Sequence, residues 1–424
     1  MTVAADREPL ARPLLLPCGA TLRNRIAKAA MSEALADADF GPSDALVRLY
    51  ERWGRGGAGL LLSGNVIVDR DGRTDPANVV LQDDRHLAGL RRWGEAAQAH
   101  GASLWLQLSH AGRQTARTIT RTPVAPSAVA VRGRGGVFGT PRALASAEVD
   151  AMIDRFVDAA ALAAAAGLGG VQIHAAHGYL VSQFLSPLVN HRDDAWGGDA
   201  QRRMAMLLAI VERTRTRVGA AFPIAVKLNS ADFQRGGFEP GDAIAVAQAL
   251  ERAGVDLIEV SGGNYESPAM VGRGELPATM RESSRAREAY FLVYARQLRE
   301  HVRVPLMLTG GLRSVAAMLE ILDGGEVDVL GLGRPLAVEP DLPARLLDGS
   351  ADAARPTKVN LGIRMLDDAL QVLWYQQQIH RMGRGLEPDP SLGRVCALAR
   401  GLGEQLRTRR AGLGSAERRN PALR

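Results

Sequence analysis

Cysteine, lysine, aromatic residues and long apolar runs are all scarce in this sequence, and most of these shortages close off a class of protein. Only Cys18 and Cys396 occur among 424 residues, too few for a four-cysteine zinc or iron–sulfur site and in keeping with a reducing compartment. No apolar run approaches the length needed to span a bilayer, "PLLLPC" included. The N-terminal "MTVAADREPL" carries acids and no apolar stretch, so no secretory signal is expected and a cytoplasmic location is. Lysine is confined to Lys28, Lys227 and Lys358, which leaves 49 of the 52 basic residues as arginine. The net charge of +6 raises the question of nucleic acid. The basic residues are scattered along the chain, however, and no nucleic-acid partner is expected. The scarcity of lysine has a use: each one invites the question of what a compact ammonium does that a guanidinium would not.

What is present, 46% hydrophobic and 23% charged residues, is the balance of a soluble globular protein. Strand-like runs recur at "RIAKAA" (25–30), "GLLLSGNV" (59–66), "ASLWLQL" (102–108), "GVQIH" (170–174), "PIAVKL" (223–228), "DLIEVS" (256–261), "PLMLT" (305–309) and "VDVLGLG" (327–333). Helix-like stretches lie between them, at 84–100, 146–166, 200–218, 240–253, 286–300 and 314–322. Eight βα units with no linker predict a (β/α)8 TIM barrel over residues 1–350 rather than two doubly wound domains. The Leu-rich segment 14–16 is expected to plug its bottom, and Ser146 and Asp84 to cap helices. Residues 111–145 read as a long loop on the face that carries barrel active sites, a candidate lid. From 351 to 424 the pattern changes to a C-terminal helical extension. Packing on the barrel is its first reading and an oligomer contact its second.

In such a barrel, phosphate is usually held by the loops after strands seven and eight. Those loops read "TGGLRS" and "GLGRP". Gly310, Gly311 and Gly333 would let backbone N–H groups approach phosphate oxygens, and Arg334 would add a charged fork. In "GVQIHAAHGYL" a strand runs out at His174, followed by His177 and Tyr179. The two histidines admit three readings: ordinary loop residues, a metal pair lacking a third ligand nearby, or donors aimed at an oxygen that gains charge during reaction. On the third reading Tyr179 is a candidate proton donor. No metal is expected.

The run "IHAAHGYLVSQFLSPLVNHRDDAWGGDAQRR" resembles the signature of the old yellow enzyme family, flavin-dependent ene-reductases on a (β/α)8 barrel. "NRIAKAAMSE", "LQLSHAGR", "TGGL" and "GLGRP" match the same family in the same order, over roughly residues 10 to 345. The resemblance implies FMN, reduced by NAD(P)H, and hydride transfer to the activated C=C bond of a small α,β-unsaturated carbonyl or nitro compound. It implies that Ala29, Ala30, Met31 and Ser32 line the isoalloxazine, that the Asn65 backbone touches it and that Gln107 meets its pyrimidine edge. Lys227 would face the N1 side, where a positive charge stabilises the reduced anion. Ala34 stands near where some relatives place a tyrosine, which leaves substrate preference open. The missing cysteine cluster argues against relatives that carry an iron–sulfur centre. Three rivals remain: a flavin barrel acting on tRNA through a catalytic cysteine, a Schiff-base aldolase using Lys227, and an interaction protein whose tail is the working part.

Overall fold

The computed structural model describes residues 4–133, 136–262, 291–357, 359, 364–401 and 403. Eight strands form one closed parallel sheet: β1 (Ile26–Lys28), β2 (Leu60–Ile67), β3 (Ser103–Ser109), β4 (Gly170–Ala175), β5 (Ile224–Asn229), β6 (Leu257–Ser261), β7 (Leu306–Thr309) and β8 (Val329–Leu332). Pairing runs in sequence order and the ring closes because β1 is bonded to both β8 and β2. The eight strand-like runs of the sequence are these strands, each within three residues at either end. Nearly every strand residue is buried, because helices cover the sheet outside and side chains fill it inside.

The helices α1 (Asp44–Arg55), α2 (Leu87–Gln98), α3 (Ser146–Ala165), α4 (Ala200–Val218), α5 (Pro240–Arg252), α6 (Leu292–Arg299) and α7 (Val315–Asp323) alternate with the strands. The first residues of the predicted helix 286–300 lie outside the described residues. Two caps differ from expectation. Ser146 lies inside α3 and its Oγ bonds Asp194, while Ala145 holds the cap position with Glu148 folding back onto its N–H. Asp83, not Asp84, caps the 3-10 turn before α2 by accepting from Arg85 N at 3.2 Å. In both places a neighbouring carboxylate met the orphan N–H first.

The bottom of the barrel is closed as expected. A hairpin of Leu14–Leu15 against Thr21–Leu22 buries Leu14, Leu16 and Leu22 among Leu60, Trp105, Ala225 and Leu257. On the opposite face the 111–145 segment is fastened to the chain around residue 191: Arg192 Nη1 donates to Pro126 O at 3.1 Å, and Ser127 Oγ accepts from His191 N at 2.9 Å. Past β8 come two short helices, α8 (Arg334–Val338) and α9 (Leu342–Leu347), then the long α10 (Arg364–Gly383). α10 lies against α1 and α8, burying Leu370, Trp374 and Ile379. A further helical stretch covers residues 394–401. Beyond it only residue 403 of the C-terminal segment is described, and Lys358 falls outside the described residues. No described helix is long and apolar enough to cross a membrane.

Candidate active site

The C-terminal strand ends bring most of the sequence-predicted residues to one face. After β1 the chain turns through Ala29, buried and bonded to Leu332 O at 2.9 Å, and on through Ala30 and Met31 to an exposed Ser32. Gly64 is the reason this turn lies close to β2. The ladder between β2 and β3 slips between Leu62 and Asn65, which frees Gly64 N to donate to Glu33 Oε1 at 2.7 Å. A Cβ on Gly64 would overlap the Met31 carbonyl oxygen and the Glu33 carboxylate. Asn65 is buried, donates to Thr74 Oγ1 at 3.2 Å, and leaves its Oδ1 without a partner.

His174, His177 and Tyr179 form one aromatic cluster. The His174 ring stands edge-on to His177 and Tyr179, with centroids 5.0 and 4.8 Å away, and His177 and Tyr179 are 6.5 Å apart. Ala176 N donates to His174 Nδ1 at 3.2 Å, so the His174 proton belongs on Nε2. His177 adopts φ of 60°, held by its N–H donating to Asn229 Oδ1 at 3.1 Å. Its Nε2 lies 2.7 Å from Ser261 Oγ, in hydrogen-bond contact with that hydroxyl. Burial, the neighbouring His177 and the Lys227 ammonium push the His174 pKa well below the usual imidazole value. Burial and Lys227 do the same to His177. Both rings are therefore neutral near pH 7, able to donate without carrying charge. Tyr179 is buried and opens the short helix Leu180–Leu185.

Gln107 on β3 and Lys227 on β5 are buried inside the barrel, and neither stands alone. Lys227 Nζ pairs with Glu259 Oε1 at 3.0 Å, and Gln107 Nε2 donates to Gln172 Oε1 at 2.6 Å. Gln172, Glu259, Asn229 and Ser261 were missed in the sequence. Their signal was there: polar residues interrupt "GVQIH" and "DLIEVS" at alternate positions, the ones that face a barrel interior, and Asn229 follows Lys227 at the same spacing. Lys28, unassigned above, is also buried. It donates to Tyr50 Oη at 2.9 Å and Leu62 O at 2.6 Å and stacks over Trp53, so it braces α1 against the sheet.

These residues fit a flavin mononucleotide. Gly310 and Gly311 have φ of 131° and 78°, a backbone conformation that side chains resist and glycine accepts. Thr309 Oγ1, like Asn65 Oδ1, is buried without a partner. A Cβ on Gly333 would meet only the Met31 side chain at 4.0 Å, so the space over the end of β8 is open. Arg334 follows at the start of α8, exposed, with Nη1 donating to Gln371 Oε1 of α10 at 3.2 Å. Among the described residues no cluster of three metal-ligating side chains occurs.

Residues 10–353 match the NADH:flavin oxidoreductase / NADH oxidase family. The NADH-dependent flavin oxidoreductase iliE of Neonectria sp. (strain DH2) is 36% identical over 353 residues, 78% of this chain but only 46% of that protein. The NADH-dependent flavin oxidoreductase iccE of Talaromyces variabilis is 34% identical over 407 residues, 88% of this chain and 98% of its own. Among solved structures, the old yellow enzyme homologue from Zymomonas mobilis superposes with a TM-score of 0.69 at 26% identity, covering 83% of this chain and 95% of that one. A morphinone reductase mutant in complex with tetrahydroNAD gives 0.68 at 26% identity, covering 82% and 92%. The chain belongs to the NADH:flavin oxidoreductase / NADH oxidase family, flavin-dependent oxidoreductases built on the old yellow enzyme barrel.

Proposed function

We propose that the protein is a cytoplasmic FMN-dependent ene-reductase that takes hydride from NAD(P)H and delivers it to the activated C=C bond of a small enone or nitroalkene. The observation that carries this reading is the cluster of two neutral histidines and a tyrosine at the end of β4. A bound FMN, once reduced, supplies the hydride. His174, through Nε2–H, and His177 beside it hold the substrate oxygen and stabilise the charge that grows there as Cβ accepts hydride. Their neutrality matters, because a neutral donor polarises the oxygen without giving up its proton. The Tyr179 hydroxyl delivers the proton to Cα. Ala29, Ala30, Met31, Ser32, Asn65 and Gln107 line the ring system, and Lys227 offers positive charge toward N1. Gly310, Gly311, Gly333 and Arg334 take the phosphate.

The rivals lose ground on particular contacts. Cys18 sits on the bottom hairpin, its N–H bonded to Asp256, and Cys396 is exposed in the extension. Cys18 is thus at the closed end of the barrel and Cys396 lies outside the barrel strands, whereas a thiol acting beside a flavin must stand at their C-terminal ends. Lys227 is ion-paired with a buried carboxylate, and an ammonium held this way is no nucleophile. Both cysteines are unpaired, in keeping with a reducing compartment.

The test is direct. The purified protein should be yellow and release FMN on heating. It should oxidise NADH or NADPH when offered an enone or nitroalkene, and bind phenols with a long-wavelength charge-transfer band. A colourless protein that takes up no FMN, or a yellow one inert toward every activated alkene, overturns the reading.

A further inference from the structure

Four polar side chains cross the inside of the barrel below the histidine cluster, one from each of β3, β4, β5 and β6. Glu259 is fully buried, and each of its oxygens has a separate partner: Oε1 takes Lys227 Nζ at 3.0 Å, and Oε2 takes Gln172 Nε2 at 2.8 Å. Gln172 Oε1 in turn accepts from Gln107 Nε2 at 2.6 Å. Backbone register builds the chain, since Lys227 and Glu259 are partners across β5 and β6, as Gln107 and Gln172 are across β3 and β4.

A carboxylate offers only acceptors, so it gives the chain a direction. Gln172 must turn its NH2 toward Glu259, which turns its carbonyl toward Gln107. Gln107 then spends one N–H on Gln172 and keeps its carbonyl oxygen and a second N–H for a ligand. Glu259 acts on Lys227 in a second way. A lone buried ammonium would attract a reduced, anionic flavin in full, whereas an ammonium 3.0 Å from a carboxylate acts as a dipole with a weaker field.

We propose that Glu259 is a positioning residue of the flavin site, fixing the donor–acceptor sense of Gln107 through Gln172 and holding down the charge that Lys227 presents to the flavin. The inference rests on the reading that Gln107 and Lys227 face the flavin. Its consequence is a flavin less stabilised when reduced, and so a stronger hydride donor, than the unpaired lysine would give.

The midpoint potential of the bound FMN, followed spectroelectrochemically in the holoprotein, tests it. Glu259→Gln removes the negative charge and keeps an acceptor for Lys227. It should raise the preference for reduced over oxidised FMN about tenfold, which is roughly 30 mV for a two-electron couple. Glu259→Asp, which restores the charge, should return the potential toward that of the parent; a residue that only filled space would show no such rescue. The double variant Lys227→Met/Glu259→Leu buries no charge and guards against misfolding of the single variant. Its potential should lie above that of Lys227→Met and below that of Glu259→Gln. Bound flavin whose potential is the same in the parent and Glu259→Gln, or in Lys227→Met and the double variant, overturns this inference alone. A parent protein that takes up no FMN overturns the cofactor reading as well.

Discussion

His110 shows what burial does to a single side chain here. It lies beside β3 with Nδ1 accepting from Gly112 N, and burial, opposed by the Asp69 carboxylate, lowers its pKa to about 4. His174 and His177 are lowered too. In the unfolded chain all three take up protons below about pH 6.5, while the fold keeps them neutral. Their stabilising effect is therefore complete above that pH and fades as the pH falls, the His110 share being gone by about pH 4. Each contributes a slope of up to about 1.36 kcal/mol per pH unit. Melting temperatures followed downward from about pH 8 should begin to drop near pH 6.5, and His110→Gln should make that drop shallower. Equal slopes in parent and variant would show that His110 takes no part. Tyr179 makes a second prediction at this scale. Tyr179→Phe should slow alkene reduction by about 10²–10⁴ while leaving flavin reduction by NAD(P)H nearly unchanged, since only the former needs its proton. Stopped-flow measurement of the two half-reactions separates them, and an unaltered alkene rate assigns the proton to another donor.

Among the elements, β2 does most to shape the site. Its ladder slips at Ser63 and Gly64, Ser63 Oγ accepts from Gln107 N at 2.8 Å, and the Glu33 carboxylate reaches in to Gly64 N. Gly64→Ala should push Met31 and Glu33 outward, because backbone and a carboxylate already held by Tyr50 Oη occupy the space. Overpacking of this kind costs about 1–3 kcal/mol. It should appear as a lower melting point together with weaker FMN binding by calorimetry. A variant that binds FMN as the parent does would mean that the Met31 turn does not touch the flavin. Strand positions were legible in the sequence because a strand buried on both faces reads as an apolar run, and Gly64 was visible only as a break in one. The slip itself was not legible, since it depends on which neighbour offers Gly64 N an acceptor.

Over the whole molecule, the C-terminal extension reaches the candidate site. His380 of α10 lies with Nε2 2.8 Å from the Glu33 carbonyl oxygen, Arg48 donates to Gly383 O at 3.0 Å, and Arg334 donates to Gln371. α10 thus braces both the turn after β1 and the start of α8. His380→Ala removes the buried hydrogen bond to Glu33, worth about 1 kcal/mol, and should weaken FMN binding roughly fivefold through the Glu33 turn. Titration of the apoprotein with FMN measures this, and an unchanged affinity would show that the extension does not support the turn. In the sequence the tail was legible only as a change from the βα repeat to a helical extension. Nothing in that change of pattern tells which surface the extension covers.

By itself the sequence determined the barrel, because eight βα repeats leave one economical closure, and it determined His174, His177 and Tyr179 as candidates, because they follow a strand end within five residues. Such features are local: they depend on period, spacing and the direction of a strand. Tertiary structure decided what those residues touch. Lys227 and Glu259 stand 32 positions apart in the chain yet share an ion pair, and Gln107 and Gln172 stand 65 apart yet share a hydrogen bond. His380 and Glu33 meet across 347 positions. A buried charge or amide takes its protonation and orientation from the groups that replace water around it, and only the closed barrel brings those groups together.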